Sequence, residues 1–206
     1  MLRKSSGGKF MKTYVFYGDS VTDCDHQYDT EELGDGYVRS VAGYLGFGYG
    51  EVRVQNLGQD GLTSSGLRAR LAEHAAPDAD VYTILIGIND LFVSGGISRD
   101  AYRRNIGDIV RSIRSGHPDS ELVLMEPFVF NSYPASTDWK DTLDMMTLVL
   151  TEAANAEHVH FLPLREKLAR EAEILGEEAV TEDGIHPTRD GHEVIAKTLL
   201  KLLQTF

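Results

Sequence analysis

The sequence predicts an α/β fold in which a five-stranded, mainly parallel sheet is covered by helices on both faces. Two observations support this prediction. Five short apolar runs, rich in β-branched and aromatic residues, alternate with longer segments whose apolar residues recur every three or four positions. The alternation continues over nearly the whole chain, without an internal repeat, a low-complexity tract or a linker. Because parallel strands need crossover connections, such a chain is expected to form a three-layer α/β/α sandwich.

The predicted elements follow from these runs and from the signals that end them. Ser98 is expected to cap a long helix, and Pro118 follows its end. The run at 81–86 is the most apolar, so we expect it near the centre of the sheet. The strands are predicted at residues 13–17, 51–56, 81–86, 122–125 and 158–162, and the helices at residues 36–45, 65–74, 98–116, 139–153, 164–174 and 190–203.

Length, charge and cysteine content exclude several classes of protein. A chain of 206 residues suits one well-buried domain, expected over residues 11–206, with residues 1–10 as a disordered leader. The net charge of −12 argues against nucleic acids and anionic membranes as partners. Cys24 is the only cysteine, which excludes an intrachain disulfide and a cysteine zinc cluster and fits a cytoplasmic protein. The sequence leaves the oligomeric state open.

Three of the predicted strands end in residues that could act on a ligand. The first strand runs into Gly18-Asp19-Ser20, the second precedes Gly58, and the third precedes Asn89. In open α/β sheets, ligands bind at the carboxyl ends of the strands. Ser20 is therefore a candidate nucleophile, and a turn without chemistry is the alternative for this short motif.

A serine nucleophile needs a neutral imidazole and a carboxylate that orients it. Two histidines stand in Asp-x-x-His spacing, namely His26 behind Asp23 and His186 behind Asp183. Pro187 disfavours helical geometry at His186, so that the ring is expected on an extended loop before the last helix. The sequence therefore favours His186 as the base.

Four sequence blocks resemble those of the SGNH hydrolases, also called GDSL esterases and lipases. They occur in the family's order and span most of the chain. The blocks are Gly18-Asp19-Ser20-Val21-Thr22, Gly58, Gly87-Ile88-Asn89-Asp90 and Asp183-Gly184-Ile185-His186-Pro187. The chain departs from the family pattern at Val21, where leucine is more usual, and at Cys24, near a position that is often glycine.

The resemblance implies a flavodoxin-like fold and a serine esterase that forms an acyl-enzyme without a metal or organic cofactor. By position, Ser20 would be the nucleophile, His186 the base and Asp183 its orienting acid. The oxyanion hole would consist of the backbone N–H groups of Ser20 and Gly58 and the side-chain amide of Asn89.

The substrate side of the site is less well defined by the sequence. Asp19 and Asp90 match family positions that we interpret as structural supports, and Asp19 is also a candidate for contact with substrate. The aromatic residues Phe128, Phe130 and Tyr133 follow the fourth strand and could form a substrate wall, although packing under a loop is equally consistent with them. The acidic segment 23–35 is expected to be a solvated loop, or one rim of the crevice that disfavours anionic substrates.

These observations predict an esterase for a small or medium, uncharged or cationic ester, such as an acetylated carbohydrate, an aryl ester or a short acyl ester. A lysophospholipase or thioesterase is the alternative on the same site. The larger α/β-hydrolase fold would need a Gly-x-Ser-x-Gly elbow, which the sequence lacks. Other classes are a magnesium-dependent phosphoester hydrolase that uses Asp19 and Asp23, and a carbohydrate-binding protein without catalysis. His158 and His160 could form a metal pair on one strand face, but no third ligand is identifiable.

Overall fold

The structure is a computed structural model that describes residues 11–49, 51–93 and 96–206. The leader predicted at residues 1–10 lies outside the described residues. Five strands form one sheet in the order β2-β1-β3-β4-β5, and every neighbouring pair is parallel. The strands are β1 (Lys12–Gly18), β2 (Val52–Asn56), β3 (Val81–Leu85), β4 (Glu121–Met125) and β5 (His160–Leu162). The predicted α/β sandwich is confirmed, and the described strands are all parallel.

Seven α-helices connect and follow the strands within the described ranges. They are α1 (Ser20–Asp23), α2 (Tyr37–Tyr44), α3 (Ser64–Glu73), α4 (Arg99–Gly116), α5 (Ser136–Glu157), α6 (Arg165–Leu175) and α7 (Arg189–Leu203). Short 3₁₀ turns lie at His26–Tyr28, Phe47–Tyr49, Ile88–Leu91 and Glu177–Ala179. In the part of the chain that the structure describes, no helix is long and apolar enough to cross a lipid bilayer. The predicted cytoplasmic location stays a prediction.

Both faces of the sheet are covered, as the alternation of strand side chains requires. Tyr82 and Ile84 of β3 point into one core, which contains buried residues of α3, α4 and α5. Val81 and Leu85 point into the second core, which contains buried residues of α2, α6 and α7. All five residues of β3 are buried, so this strand does not alternate between buried and exposed positions.

The strand order places a crevice above β1. Gly18 pairs with Leu85 of β3, and Phe16 pairs with Asn56 of β2, so the three strands end close together. The chain leaves β1 toward the α2 side of the sheet and leaves β2 toward the α3 side. Such a reversal of direction opens a crevice at the carboxyl edge of an α/β sheet. The loops that carry Ser20, Gly58 and Asn89 therefore meet at one place.

His158 and His160 do not share a face of one strand, and the metal pair considered for them is absent. His158 ends α5 in the left-handed backbone region, with φ of 53°, and β5 begins only at His160. The His160 ring instead bonds to Glu121 Oε2 at 3.0 Å and stacks on Phe206. Among the described residues, no group of three or more histidine, cysteine or acidic side chains is arranged to hold a metal ion.

Candidate active site

Ser20 lies at the first position of α1, directly above the end of β1. Asp19 is the N-cap of this helix, and its Oδ1 accepts a hydrogen bond from the Val21 N–H at 3.2 Å. Gly18 passes so close to its neighbours that an added Cβ would lie 2.7 Å from the Leu85 carbonyl oxygen. A residue with a side chain would not fit at this position, and glycine allows the chain to turn sharply here. The turn places Ser20 at the surface of the crevice, where its side chain is partly exposed.

A continuous chain of hydrogen bonds joins Ser20 to His186 and Asp183. Ser20 Oγ lies 3.0 Å from His186 Nε2, and His186 Nδ1 lies 2.7 Å from Asp183 Oδ2. The other carboxylate oxygen, Asp183 Oδ1, accepts the N–H groups of Ile185 at 2.9 Å and of His186 at 2.8 Å. Burial raises the pKa of Asp183, but these bonds outweigh burial and hold the pKa below its usual range. Asp183 is therefore ionised at neutral pH and fixes the ring of His186.

The loop that carries His186 is stabilised by hydrogen bonds within the loop and by contacts with the β4–α5 connection. The Glu182 N–H and the Thr181 hydroxyl both donate to the His186 carbonyl oxygen, each at 2.9 Å. Gly184 has φ of +89°, and an added Cβ would lie 2.5 Å from the Tyr133 nitrogen. The Phe130 N–H donates to the Gly184 carbonyl oxygen at 2.8 Å. The backbone of the β4–α5 connection therefore sets the position of the loop that carries Asp183 and His186.

The second Asp-x-x-His pair forms the same local contact but does not reach the serine. His26 Nδ1 lies 2.8 Å from Asp23 Oδ1, and Asp23 Oδ2 accepts the Asp60 N–H at 2.8 Å. Asp23 thus joins the acidic loop to the loop after β2. With both of its oxygens engaged and its side chain largely buried, Asp23 is a poor magnesium ligand.

The three expected oxyanion donors differ in their present partners. The Ser20 N–H lies in the first turn of α1, where helix N–H groups have no intrahelical acceptor. One N–H of the Asn89 amide donates to the Leu62 carbonyl oxygen at 3.0 Å, and this bond orients the side chain. The second N–H of the amide can donate to another acceptor, such as an oxyanion. The Gly58 N–H, in contrast to the expectation, donates to Asn56 Oδ1 at 3.0 Å. It could serve an oxyanion only by sharing that hydrogen.

Asp19 and Asp90 are buried supports beneath the site. Asp19 is only 1% exposed and cannot touch a substrate. The prediction that Asp19 contacts the substrate is therefore wrong. Burial raises the pKa of Asp19 to about 7, against the opposing effects of the Val21 N–H and of His186. Asp90 accepts both the N–H and the hydroxyl of Ser64, each at 2.8 Å, and so ties the Asn89 turn to the start of α3.

The aromatic residues expected to form a substrate wall separate into two groups. Phe128 and Phe130 are each 5% exposed and pack in the core on the α6 side. These two residues therefore do not form a substrate wall. Tyr133 instead stacks on Trp139, with ring centroids 4.9 Å apart, and both rings meet the edge of Phe92. This cluster links the segment after Asn89 to the loop that carries Asp183. Phe92 was missed because a single aromatic residue after a turn gives no sequence signal.

Cys24 and His192 lie close to Ser20, and burial keeps both side chains uncharged. Burial and the neighbouring carboxylates raise the pKa of the Cys24 thiol to about 12, so it stays protonated. Burial, with a smaller effect of His186, lowers the pKa of His192 to about 4. The His192 ring accepts the Tyr37 N–H at Nδ1, and its Nε2 lies 3.5 Å from Cys24 Sγ. At neutral pH, Cys24 is therefore a thiol rather than a nucleophilic thiolate, and the His192 ring is neutral rather than cationic.

A cleft of about 570 Å³ opens beside Ser20 and His186. Its other walls come mainly from the acidic segment after α1 and include Asp25, Gln27 and Tyr28. Arg39 holds this segment in place, because its guanidinium bonds to Asp29 and, at 2.6 Å, to Glu31 Oε2. The described residues that line the cleft include no lysine or arginine, so its charge disfavours anionic ligands.

Comparison with known proteins gives matches over almost the whole chain. The model of the GDSL-like lipase/acylhydrolase family matches residues 16–194. An acetylxylan esterase from Geobacillus stearothermophilus is 28% identical over 203 residues, which cover 91% of each chain.

Solved structures also match the fold. An α/β hydrolase from the metagenome of Lake Arreo superposes with a TM-score of 0.80 at 22% identity, over 95% of this chain and 97% of the other. A variant of the acetyl xylan esterase of Geobacillus stearothermophilus gives a TM-score of 0.79 at 27% identity, over 94% and 96% of the two chains. Catalytic mutants of that esterase in which a serine or a histidine is replaced by alanine match equally well, each with a TM-score of 0.80.

Proposed function

Because the chain belongs to the GDSL-like lipase/acylhydrolase family and is a serine carboxylic ester hydrolase, we propose that Ser20 is its nucleophile and that it removes short acyl groups from a small polar alcohol. The observation that carries the proposal is the unbroken hydrogen-bond chain from Ser20 Oγ through His186 to Asp183. Such a chain is the arrangement that activates a serine hydroxyl at neutral pH.

The proposed reaction has two halves. Ser20 Oγ attacks the ester carbonyl carbon while its proton moves to His186 Nε2, and the carbonyl oxygen becomes an oxyanion. The Ser20 N–H and the Asn89 amide donate to that oxyanion. The bond to the alcohol oxygen then breaks, and His186 returns the proton to the leaving alcohol. Water repeats the sequence on the acyl-enzyme, with His186 as base, and releases the carboxylic acid and free Ser20.

Asp183 acts on His186 and not on the substrate. Its carboxylate accepts the Nδ1–H, which leaves the Nε2 lone pair directed at Ser20 Oγ. As the ring takes the serine proton, the negative charge of Asp183 stabilises the imidazolium. Asp19 adds a second, buried negative charge near His186 only when it is ionised, because burial raises its pKa to about 7. Asp183 therefore lowers the free energy of the charged intermediate at neutral pH, and the ionised form of Asp19 adds to this effect.

Acetylated carbohydrates are the proposed substrate class. The relative from Geobacillus stearothermophilus is an acetylxylan esterase, and the cleft beside Ser20 is lined with hydrogen-bond acceptors and carries no lysine or arginine among its described walls. A cleft of that kind suits a hydroxylated alcohol better than a phospholipid, whose phosphate it would repel.

The nucleophile assignment is tested by covalent labelling. The intact protein is treated with a fluorophosphonate, and the labelled peptide is identified by mass spectrometry. We expect a single adduct on Ser20, and loss of both labelling and p-nitrophenyl acetate hydrolysis in Ser20→Ala with an unchanged circular dichroism spectrum. Ser65→Ala, which replaces an exposed serine of α3, is the matched control. Activity retained by folded Ser20→Ala would refute the assignment.

A further inference from the structure

The cleft beside Ser20 and His186 lies on the alcohol side of the reaction. His186 must deliver a proton to the leaving oxygen, so the alcohol has to face His186 Nε2. The described walls of the cleft include Ser20 and His186, but neither Gly58 nor Asn89, the residues expected around the carbonyl oxygen. The cleft therefore extends from Ser20 and His186 away from the expected oxyanion donors, on the side of the ring that would protonate the leaving alcohol.

Tyr28 is the exposed aromatic side chain of this cleft. It is 82% exposed, although large aromatic side chains usually bury most of their surface. Tyr28 ends the 3₁₀ turn His26–Tyr28, and nothing in the packing of the core explains a tyrosine at this position. An exposed ring in the wall of a catalytic cleft suits contact with a ligand.

The turn that presents Tyr28 is fixed on both sides. On one side, His26 is bound to Asp23, and the Tyr28 N–H donates to the Asp25 carbonyl oxygen at 2.9 Å. On the other side, Asp29 Oδ2 accepts the Leu33 N–H at 2.9 Å and pairs with Arg39. The ring is therefore carried by an ordered support, which lowers the entropic cost of using it to bind a ligand.

The groups around Tyr28 indicate the chemistry of the alcohol. Gln27 also lines the cleft, and three of its other lining residues are the acidic residues Asp25, Asp60 and Glu182. Carboxylates accept hydrogen bonds from hydroxyl groups, while the face of a tyrosine ring offers an apolar surface. A sugar ring matches both features, since it has C–H groups on its faces and O–H groups at its edge.

We propose that Tyr28 is a specificity-determining residue and that its ring stacks on the sugar to which the ester group is attached. This inference rests on the proposed function, because it assigns the alcohol half of the same site. Tyr28 does not touch the reacting atoms, so it affects the choice of alcohol and not the acyl transfer itself.

The test compares two acetate esters that differ only in the alcohol. Acetylated xylotriose extends into the cleft, whereas the ethyl group of ethyl acetate is too short to reach beyond Ser20 and His186. The measured quantity is the ratio of kcat/KM for the sugar ester to kcat/KM for ethyl acetate. We expect Tyr28→Ala to lower this ratio about tenfold, the size of one aromatic stacking contact. Tyr28→Trp, which keeps a flat aromatic face, should restore it.

Tyr44→Ala is the matched control, because Tyr44 is another exposed tyrosine, 52% exposed on α2 and outside the described walls of the cleft. An unchanged ratio in Tyr28→Ala would overturn the inference while leaving the esterase intact. A larger loss on acetylcholine than on the sugar ester would also overturn it, in favour of a cationic alcohol. If the wild-type protein hydrolysed neither acetate ester, the proposed function would fail and this inference with it.

Discussion

The side chain of Asn56 accepts the Gly58 N–H at Oδ1, at 3.0 Å, and so occupies a donor expected in the oxyanion hole. The Nδ2 group of the same amide donates to the carbonyl oxygens of Thr22 at 2.7 Å and Leu33 at 2.9 Å. Asn56 is 3% exposed and thus ties the end of β2 to α1 and to the acidic segment. Its amide holds three of the segments that surround Ser20.

Gly58→Ala is expected to lower kcat by displacing the segment that carries Ser20. An added Cβ would overlap the Asp23 nitrogen and lie 2.8 Å from the Thr22 carbonyl carbon, so α1 and Ser20 must move. A displacement near 1 Å lowers kcat by about 100-fold. Steady-state hydrolysis of p-nitrophenyl acetate measures the loss. Gly43→Ala is the control, since Gly43 is on the exposed side of α2 with nothing within 4 Å of the added Cβ, and it should keep full activity. Equal activity of the two variants would contradict the prediction.

Asn89→Ala is expected to lower kcat by about 100- to 1,000-fold, the usual loss on removal of one oxyanion donor. Asn89 is the side-chain donor of the expected set, and its amide is already oriented by the Leu62 carbonyl oxygen. Because the amide acts on the transition state, KM should change little. Asn155→Ala, on the exposed face of α5, provides the control. A loss below fivefold would show that the backbone N–H groups suffice.

Asp183→Asn is expected to reduce kcat by about 10,000-fold with the fold intact. An asparagine amide would donate to Nδ1 and so favour the ring tautomer that carries the proton on Nε2, which cannot accept the proton of Ser20. Burst kinetics with p-nitrophenyl acetate separate acylation from deacylation, and both steps should slow because both use His186. Asp138→Asn, exposed in the first turn of α5, is the control. Wild-type acylation in Asp183→Asn would rule out this role of the carboxylate.

The sequence was sufficient for the sheet and for the residues of the hydrogen-bond chain because these depend on local signals. Ser20 follows a strand and a glycine, and Asp183 and His186 are three residues apart on one loop. It was not sufficient for contacts between distant segments. The Asn56 bond to Gly58 depends on where β2 meets α1, and the aromatic contact of Phe92 with Trp139 joins the turn after β3 to the first turns of α5.

Burial could not be predicted for single residues next to the site. Asp19 and Ser20 are adjacent in a polar motif, yet the turn after Gly18 directs Asp19 into the protein and Ser20 into the crevice. Phe128 and Phe130 have the composition of a substrate wall but lie on the core side of their connection. His158 falls outside β5 because α5 continues to Glu157 and needs a residue in the left-handed region to end it.

Asp19 is expected to make the protein less stable as the pH rises toward neutrality. Its pKa of about 7 in the folded state exceeds the ordinary value of 3.8, so the folded state holds a proton that the unfolded chain releases. The resulting stability is fully present below about pH 4 and is lost as the pH passes 7, by about 4 kcal/mol in total. Urea unfolding at pH 5 and pH 8 measures the larger part of this change, about 3 kcal/mol for the two pH units between 5 and 7.

Asp19→Asn should remove most of this pH dependence, because the amide oxygen can still accept the Val21 N–H without a charge to bury. Asp141→Asn replaces an exposed carboxylate of α5 and should leave the dependence as in the wild type. If Asp19→Asn lost as much stability between pH 5 and pH 8 as the wild type, the buried charge would not be its cause.

His192 is expected to have the opposite effect. Burial lowers its pKa to about 4, so between that value and 6.5 the unfolded chain binds a proton that the folded protein does not. The stability from the neutral ring is therefore present above pH 6.5 and lost as the pH falls to 4, by about 3 kcal/mol. Because the Asp19 effect runs against it, the measurement is made in the Asp19→Asn background.

In that background, acidification from pH 7 to pH 4.5 should cost less unfolding free energy in His192→Gln than in the parent. The glutamine can still accept the Tyr37 N–H, although it loses the stacking of His192 on Tyr37, so its stability at pH 7 should be lower. His74→Gln replaces an exposed histidine after α3 and should not alter the acid dependence. Acid losses that are equal in His192→Gln and the parent would show that the ring is protonated in the folded state, which the burial of His192 beside Cys24 and Tyr37 disfavours.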